Sequence, residues 1–358
     1  MLFLFLSLKI DTSMKIEKNP KNFPLVSVVM PVFNSEKFVS EALRSILNQS
    51  YRNIELIVVN DGSTDRSAEI IKNLQKEDKR IIIIEQPNRG IVSARNVGCR
   101  HAKGDYIAIL DSDDIALEKR IEKQVDYLEN HNDVGICGSW VKTIEVNPKI
   151  RKYPCDNDKI KCSLLFSCPF SHSSVMMRRT AIPFFPEIYS ESFDTVEDYK
   201  LWVTCMNVTK YSNLSEPLVL YRIHQENVSI LFKKEQEERA IKVLKDLLKN
   251  FDINPSDDEI HINNSFYLSG CVLADEYLSN VHTWLSKLYT ANSIKNILPK
   301  SSLFELFSEM WYRACIKKTM LGLKTWNIYW KSPFIGSFHL SWTRKVKLLI
   351  YCLIKINH

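Results

Sequence analysis

The sequence predicts an α/β fold: a mostly parallel, Rossmann-like sheet with flanking helices, followed by a helical C-terminal region. Three observations carry that prediction. Short β-branched runs that are apolar at nearly every position recur along the first third of the chain, as strands buried on both faces require. Segments of helical periodicity lie between them, and strand–helix alternation of this kind marks a doubly wound sheet. Three of the runs end in polar clusters, at 34–36, 60–65 and 111–114. In such sheets ligands bind at the carboxyl ends of the strands, where strand order reverses. The three clusters should therefore share one edge.

Leu25 to Phe33 reads as the first strand. Asn34-Ser35 offers a helix cap, and Phe38, Ala42, Leu43, Ile46 and Leu47 space out one helical face before Gln49. Ile54 to Val59 is the second strand. The turn Asn60-Asp61-Gly62-Ser63 follows, with Ser63 or Thr64 expected to cap a helix through Leu74. Arg80 to Ile84, a helix over about 90–102 and Tyr106 to Leu110 repeat the pattern. A helix over 118–130 and a strand from Val134 to Val141 come next. Residues 150–225 are less regular, and from about 232 the texture turns helical. The expected organisation is an N-terminal arm (1–23), an α/β domain (24–230) and a helical region (231–358).

Composition narrows the function. The chain has 358 residues, 45% of them hydrophobic, enough for a full core. Its net charge of +6 comes without a long Lys/Arg block, so no nucleic-acid partner is expected. Nine cysteines form no C-x-x-C pair and read as reduced, mostly buried thiols of a cytoplasmic protein. The apolar start, Met1 to Leu6, is too short to span a bilayer and lacks the marks of a signal peptide. Met14 is an alternative start. The tail from Val346 to Ile356 is apolar, punctuated by Lys347 and Lys355, and no acidic residue follows Glu309. A helix docked on the core and a peripheral contact with an anionic membrane, at the inner face of the cytoplasmic membrane, stand on equal terms for it.

The sharpest chemical signal is Asp111-Ser112-Asp113-Asp114 at the end of an apolar strand. Three carboxylates there are electrostatically costly without a cation, and oxygen ligands suit Mg²⁺ or Mn²⁺. Acids at the start of a helix near Ala116 are the plainer reading. Neither a G-x-G-x-x-G after the first strand nor a Walker A motif is present. Side chains and metal must hold any nucleotide. Asp61 can accept hydrogen bonds from a base or ribose. Arg95 can pair with a phosphate or with a site carboxylate. Glu197-Asp198 opens a helix, either as partners of its dipole or as a general base. Haloacid-dehalogenase-type phosphohydrolases also carry D-x-D after a strand, but in the first strand, and with Thr or Val where this chain has Ile115.

The chain resembles glycosyltransferase family 2, with its GT-A fold, over about residues 24–230. The resemblance rests on Val28-Val29-Met30-Pro31-Val32-Phe33-Asn34, Val59-Asn60-Asp61-Gly62-Ser63-Thr64-Asp65, Asn88-Arg89-Gly90 with Ala94-Arg95-Asn96, and Gly104-Asp105-Tyr106 leading to Asp111–Asp114. His172-Ser173-Ser174-Val175-Met176, Glu197-Asp198-Tyr199-Lys200-Leu201-Trp202 and Tyr221-Arg222-Ile223-His224 with Asn227 and Ser229 continue it in order. It implies that Pro31, Phe33 and Glu36 line a base and ribose pocket and that Asp61 bonds the base, usually uracil. Asp111 would meet ribose and metal, Asp113 would ligate Mg²⁺ or Mn²⁺, and Asp198 would be the catalytic base beside Glu197. Arg222 and His224 would reach the diphosphate or metal when their loop closes. The implied activity is inverting transfer from a nucleotide-diphosphate sugar, a UDP-sugar, to a glycan or lipid-linked hydroxyl. The Q-x-x-R-W motif and spanning helices of processive synthases are missing, which implies single-sugar addition. A catalytically inactive nucleotide-binding module of the same fold is the remaining alternative, and the acids at 111, 113 and 198 argue against it.

Overall fold

The computed structural model describes residues 23–266, 276–335 and 342–355. Residues 1–22 of the expected arm and the last three residues lie outside them. The first half alternates as expected: β1 (Val26–Val32), α1 (Val39–Leu47), β2 (Ile54–Asp61), α2 (Ser67–Glu77), β3 (Ile81–Gln86), α3 (Ile91–His101) and β4 (Tyr106–Ile109). Then come β5 (Ile115–Ala116), α4 (Arg120–Asn130), β6 (Val134–Ile144), β7 (Ile150–Arg151), α5 (Asn157–Ser163), β8 (Met176–Arg178), α6 (Glu197–Cys205) and β9 (Lys210–Arg222). The rest is helical: α7 (Val228–Leu231), α8 (Lys233–Lys249), α9 (Asp257–Asn264), α10 (Tyr277–Lys295), α11 (Lys300–Lys317), α12 (Leu323–Lys331) and α13 (Trp342–Ile354).

The sheet runs β3-β2-β1-β4-β8-β6-β9-β5, with β7 beside β6. Strands β3, β2, β1 and β4 are mutually parallel, and order reverses between β1 and β4. Every residue of β1 and β2 is buried because both faces are covered. Val26, Val28, Met30 and Val32 pack with Leu43 and Ile46 of α1, Ile71 of α2 and Ile121 of α4. Val29, Ile57 and Val59 point the other way, into a core shared with Val92 of α3 and the C-terminal helices. That second core contains Leu244, Trp284, Phe307 and Tyr329, so the helical region is continuous with the sheet's packing across residue 230.

Glycine fixes one close approach. A Cβ on Gly104 would fall 2.6 Å from the Ser27 nitrogen and 2.7 Å from the Leu25 carbonyl oxygen. Only a hydrogen there lets the 103–105 turn seat against the start of β1, where the Gly104 N–H donates to Ser27 Oγ.

Three local expectations are corrected. Helix α2 starts at Ser67, not after Ser63 or Thr64, and Asp65 Oδ1 accepts from the Ser67 N–H. Ser63 and Thr64 instead tie β2 to Asn34. No helix starts near Ala116: Ile115–Ala116 is β5, paired with β9, and the next helix begins at Arg120. The helix-dipole reading of the strand-end acids therefore falls. Finally, 150–225 contains the 13-residue strand β9, which runs parallel to β6.

Candidate active site

The parallel order brings the three polar clusters to one edge. The Asn34 N–H donates to Ser63 Oγ at 3.1 Å, and the Thr64 N–H donates to Asn34 Oδ1 at 2.8 Å. The Glu36 N–H donates to Asp65 Oδ2 at 2.9 Å. Ser35 and Ser112 join the first cluster to the third through a 2.7 Å hydroxyl contact. This is the β1/β4 crevice, where the reversal of strand order leaves room for a ligand.

The carboxylates at the end of β4 have separate partners. Asp111 Oδ1 accepts from Arg95 Nη2 at 2.7 Å, and its Oδ2 accepts from Ser173 Oγ at 2.9 Å. Burial alone would raise its pKa, but Arg95, His172 and the hydrogen bonds hold it below the ordinary value. Asp113 faces the chain that leaves β9: His224 Nε2 lies 2.9 Å from its Oδ2, and Asn227 Nδ2 lies 3.4 Å from the same oxygen. Burial and the Asp111 charge push Asp113 above the ordinary carboxyl range. Asp114 Oδ1 accepts the Arg222 N–H at 2.9 Å, so this acid anchors the end of β9. Its Oδ2 is buried and unpartnered, and burial together with Asp113 raises it well above the usual value. Behind it lies Arg120, fully buried, with Nη2 donating to the Ile109 carbonyl at 2.8 Å; burial pushes this guanidinium down to about 9.

Helix α6 supplies the next acids. Glu197 and Asp198 open it at the far end of one ion-pair bridge. Arg95, 3% exposed, donates Nη1 to Glu197 Oε1 and Nη2 to Asp111 Oδ1. One cation thus serves a buried carboxylate, Glu197, and a partly buried one, Asp111. Asp111 has Ser173 as well, whereas Glu197 Oε2 has no partner and burial pushes this acid up to about 7. Burial would lower the Arg95 pKa, but the two carboxylates hold it above its ordinary value. Asp198 Oδ1 accepts its neighbour's N–H from Tyr199 at 2.6 Å, and Cys168 Sγ lies 3.6 Å from Oδ2. Burial raises the Asp198 carboxyl above its ordinary value.

The residues expected around a nucleotide lie on the same edge. Pro31 is inside β1, and Phe33, just past it, is 47% exposed. Glu36 Oε2 accepts from the N–H of Arg66 at 3.0 Å. Asp61 is buried: Oδ1 accepts from Gln86 Nε2 and the Arg89 N–H, and Oδ2 accepts from the Gly90 N–H. It therefore positions the 88–90 turn, and the lone-pair capacity left over is on Oδ2, since Oδ1 already accepts two hydrogen bonds. Arg95 is paired here with carboxylates, one of the two options the sequence leaves for it.

The donor set fits a divalent cation at Asp113. Among the described residues no group of three His, Cys, Asp or Glu side chains forms a ready cage. Mg²⁺ asks for less, since one or two protein ligands suffice when phosphate oxygens and water complete its shell. Asp113, pushed toward protonation by Asp111 and burial, would regain a stable charge beside a cation. His224 Nδ1 is buried without a partner.

Several residues at the site had no individual role assigned from the sequence. Ser173 grips Asp111 from the turn before β8. Glu41 takes Arg222 Nη2 at 2.7 Å, while the Arg222 guanidinium lies 4.8 Å from the Phe38 ring centroid and the His224 ring 4.9 Å from the same ring. Helix α1 therefore backs the 222–227 segment. The apolar spacing of this segment offered no hint of this, because it places Phe38 on the helical face and says nothing of Glu41.

Comparison with known proteins agrees with the geometry. The family model described as glycosyl transferase family 2 matches residues 27–182. An uncharacterized glycosyltransferase of Haemophilus influenzae is 30% identical over 308 residues, covering 81% of this chain and 88% of that protein. The uncharacterized glycosyltransferase MJ1057 of Methanocaldococcus jannaschii is 37% identical over 236 residues, 63% of this chain and 80% of its own. Among solved structures, S. aureus TarS 1-349 in complex with UDP-GlcNAc superposes with a TM-score of 0.52 at 16% identity, over 92% of this chain and 90% of that one. That likeness is one of fold. The phosphohydrolase alternative finds no support: its nucleophile would be Asp111, whose two oxygens are held by Arg95 and Ser173.

Proposed function

The chain belongs to glycosyltransferase family 2, and from that premise we propose that it transfers one sugar at a time, with inversion, from a UDP-sugar to a hydroxyl acceptor, with Mg²⁺ or Mn²⁺ at Asp113. The observation that carries this reading is the Arg95 bridge. It ties Asp111, beside the cation position, to Glu197, whose neighbour is Asp198. Donor site and base are thereby held in one network.

In this reading the uracil and ribose lie against Phe33 and the β1/β2 loop, with Asp61 and Asp111 accepting hydrogen bonds from them. The fold neighbour TarS, seen with UDP-GlcNAc, supports a UDP donor. A divalent ion, when bound, neutralises charge on the leaving diphosphate. Asp113, His224 and Asn227 hold its place, with Asp111 as a shared contact, and Arg222 stands beside them. Asp198 removes the acceptor hydroxyl proton as that oxygen forms its bond to the anomeric carbon. The bond from that carbon to the diphosphate oxygen breaks on the opposite face, so an α-linked donor yields a β-glycoside. The raised pKa of Asp198 suits the task, because a stronger base takes the proton with more driving force. A glycan or lipid-linked acceptor, used in making a cell-surface polysaccharide, lipopolysaccharide or glycoconjugate, fits such chemistry. None of the eight described cysteines is paired, which supports a cytoplasmic setting.

The test is Asp198→Asn. Transfer from UDP-sugars should fall by roughly 10²–10⁴-fold, the usual share of a positioned general base. UDP affinity should stay within about twofold of the parent, because Asp198 is placed on the acceptor side. Unchanged turnover overturns the assignment of the base.

A further inference from the structure

Charge divides sharply along the chain. Nine of the 48 basic residues and none of the 42 acidic ones follow Glu309, so the net +6 resolves into +9 after that residue and −3 before it. The structure folds much of this basic segment into α12 and α13, which pack on each other and on α11.

Helix α13 uses one side for that packing. Leu348 and Cys352 are fully buried, and Arg344 pairs with Glu309 of α11. At 100° per residue, Trp342, Val346, Ile350, Leu353 and Ile354 share an arc of about 120° on the other side. All five are exposed, Trp342 to 75%. Lys345 and Lys347 flank that arc, one at each edge. Neither meets a carboxylate among the described residues. The Lys345 ammonium lies 5.4 Å from the Trp330 ring centroid and 5.5 Å from that of Trp342, joining the exposed ring of α12 to that of α13. Met320, in the turn before α12, and Leu323, its first residue, are also exposed. An unpartnered apolar row, edged by lysines and ended by tryptophans, has the composition of a helix lying in a bilayer interface. Helix α13 spans about 20 Å at 1.5 Å per residue, and no described helix is long and apolar enough to cross a membrane.

We infer that the α12–α13 face is a membrane-docking surface that seats this enzyme on an anionic bilayer, with the Trp342–Val346–Ile350–Leu353 row at headgroup depth and Lys345 and Lys347 on the phosphates. Charge decides between occupants. A symmetric second copy would set the same basic segment against itself, with no acid after Glu309 to meet it, because a two-fold interface pairs a patch with its own image. Anionic lipid supplies the complementary charge, and each lysine near such a surface contributes about fivefold in partition.

The experiment is sedimentation of the full chain with vesicles of phosphatidylcholine, with and without phosphatidylglycerol, at low and high salt. Binding should appear with the anionic vesicles, fall with salt and stay weak on the neutral ones. Lys345→Gln with Lys347→Gln should weaken it roughly 30-fold, and Val346→Asp with Ile350→Asp should remove it, while circular dichroism and UDP binding remain those of the parent. Should the aspartate pair fail to fold, the lysine pair carries the test. Absent binding, equal binding to both vesicles, or a dimer in light scattering that Val346→Asp with Ile350→Asp converts to monomer overturns the inference.

Discussion

Replacing Arg95 with Met removes the cation that the buried Glu197 and the partly buried Asp111 share. Arg95 is 3% exposed, and its partners Asp111 and Glu197 lose their ion pair in one step. Breaking a buried pair from one side costs about 3–5 kcal/mol, because the remaining charge is left uncompensated. At roughly 2.1 cal/mol/K of unfolding entropy per residue, a chain of 358 residues should lose about 4–7 °C of thermal midpoint. The pH dependence gives the mechanism its own signature. In the parent, Arg95 keeps Asp111 below its ordinary pKa, so the stability from that group is present above the unfolded value and disappears only in stronger acid. Without Arg95, burial raises Asp111 above the unfolded value, and its penalty is relieved as pH falls through the raised pKa. Glu197, pushed up to about 7 in the parent, moves further the same way. The stability gap between Arg95→Met and the parent should therefore narrow from pH 8 to pH 5.5, read as urea midpoints at each pH. A gap below about 1 kcal/mol at pH 8, or one that widens on acidification, would refute the bridge.

Other consequences follow from the same geometry. Asp198 must be ionised to accept a proton, and burial raises its pKa, so the acid limb of kcat/KM should lie above the ordinary aspartate value of 3.8. Activity should drop tenfold per unit below that limb, and a limb at or under 3.8 would contradict the placement. Gly104→Ala should cost about 1–3 kcal/mol in chemical denaturation, because the added carbon meets backbone atoms at 2.6 and 2.7 Å. A neutral result there would mean that the turn at 103–105 yields.

What the sequence revealed follows physical lines. Strands β1, β2 and β4 were legible because burial on both faces leaves apolar runs broken only by Ser27 and Glu55 before the polar strand ends. Strand β9 was not, because Ser212, Asn213, Glu216 and Pro217 interrupt any alternation. Its existence depends on β6, whose register shifts between Ser139 and Trp140, and Trp140 is the residue paired with Pro217. The three strand-end clusters could be assigned to one edge since parallel order demands it. Their partners could not: Arg95 meets Glu197 from 102 residues away, and Ser173 meets Asp111 from 62. Such contacts are set by tertiary packing, and local spacing carries no trace of them. The excess of acids after β4 was visible, but its partition was not. Asp111 is held by Arg95, Asp113 faces His224, and Asp114 anchors the end of β9 through a backbone N–H.

The central claim is that Asp113 holds a divalent ion for a UDP-sugar, and calorimetric titration of UDP with Mn²⁺ or with EDTA tests it most directly. The parent should bind UDP at least about tenfold more tightly with Mn²⁺, a difference of roughly 1.4 kcal/mol, and Asp113→Asn should lose that increment while keeping the weaker metal-free binding. Equal UDP affinity in Mn²⁺ and EDTA, or an Asp113→Asn protein that keeps the full increment, would contradict the account.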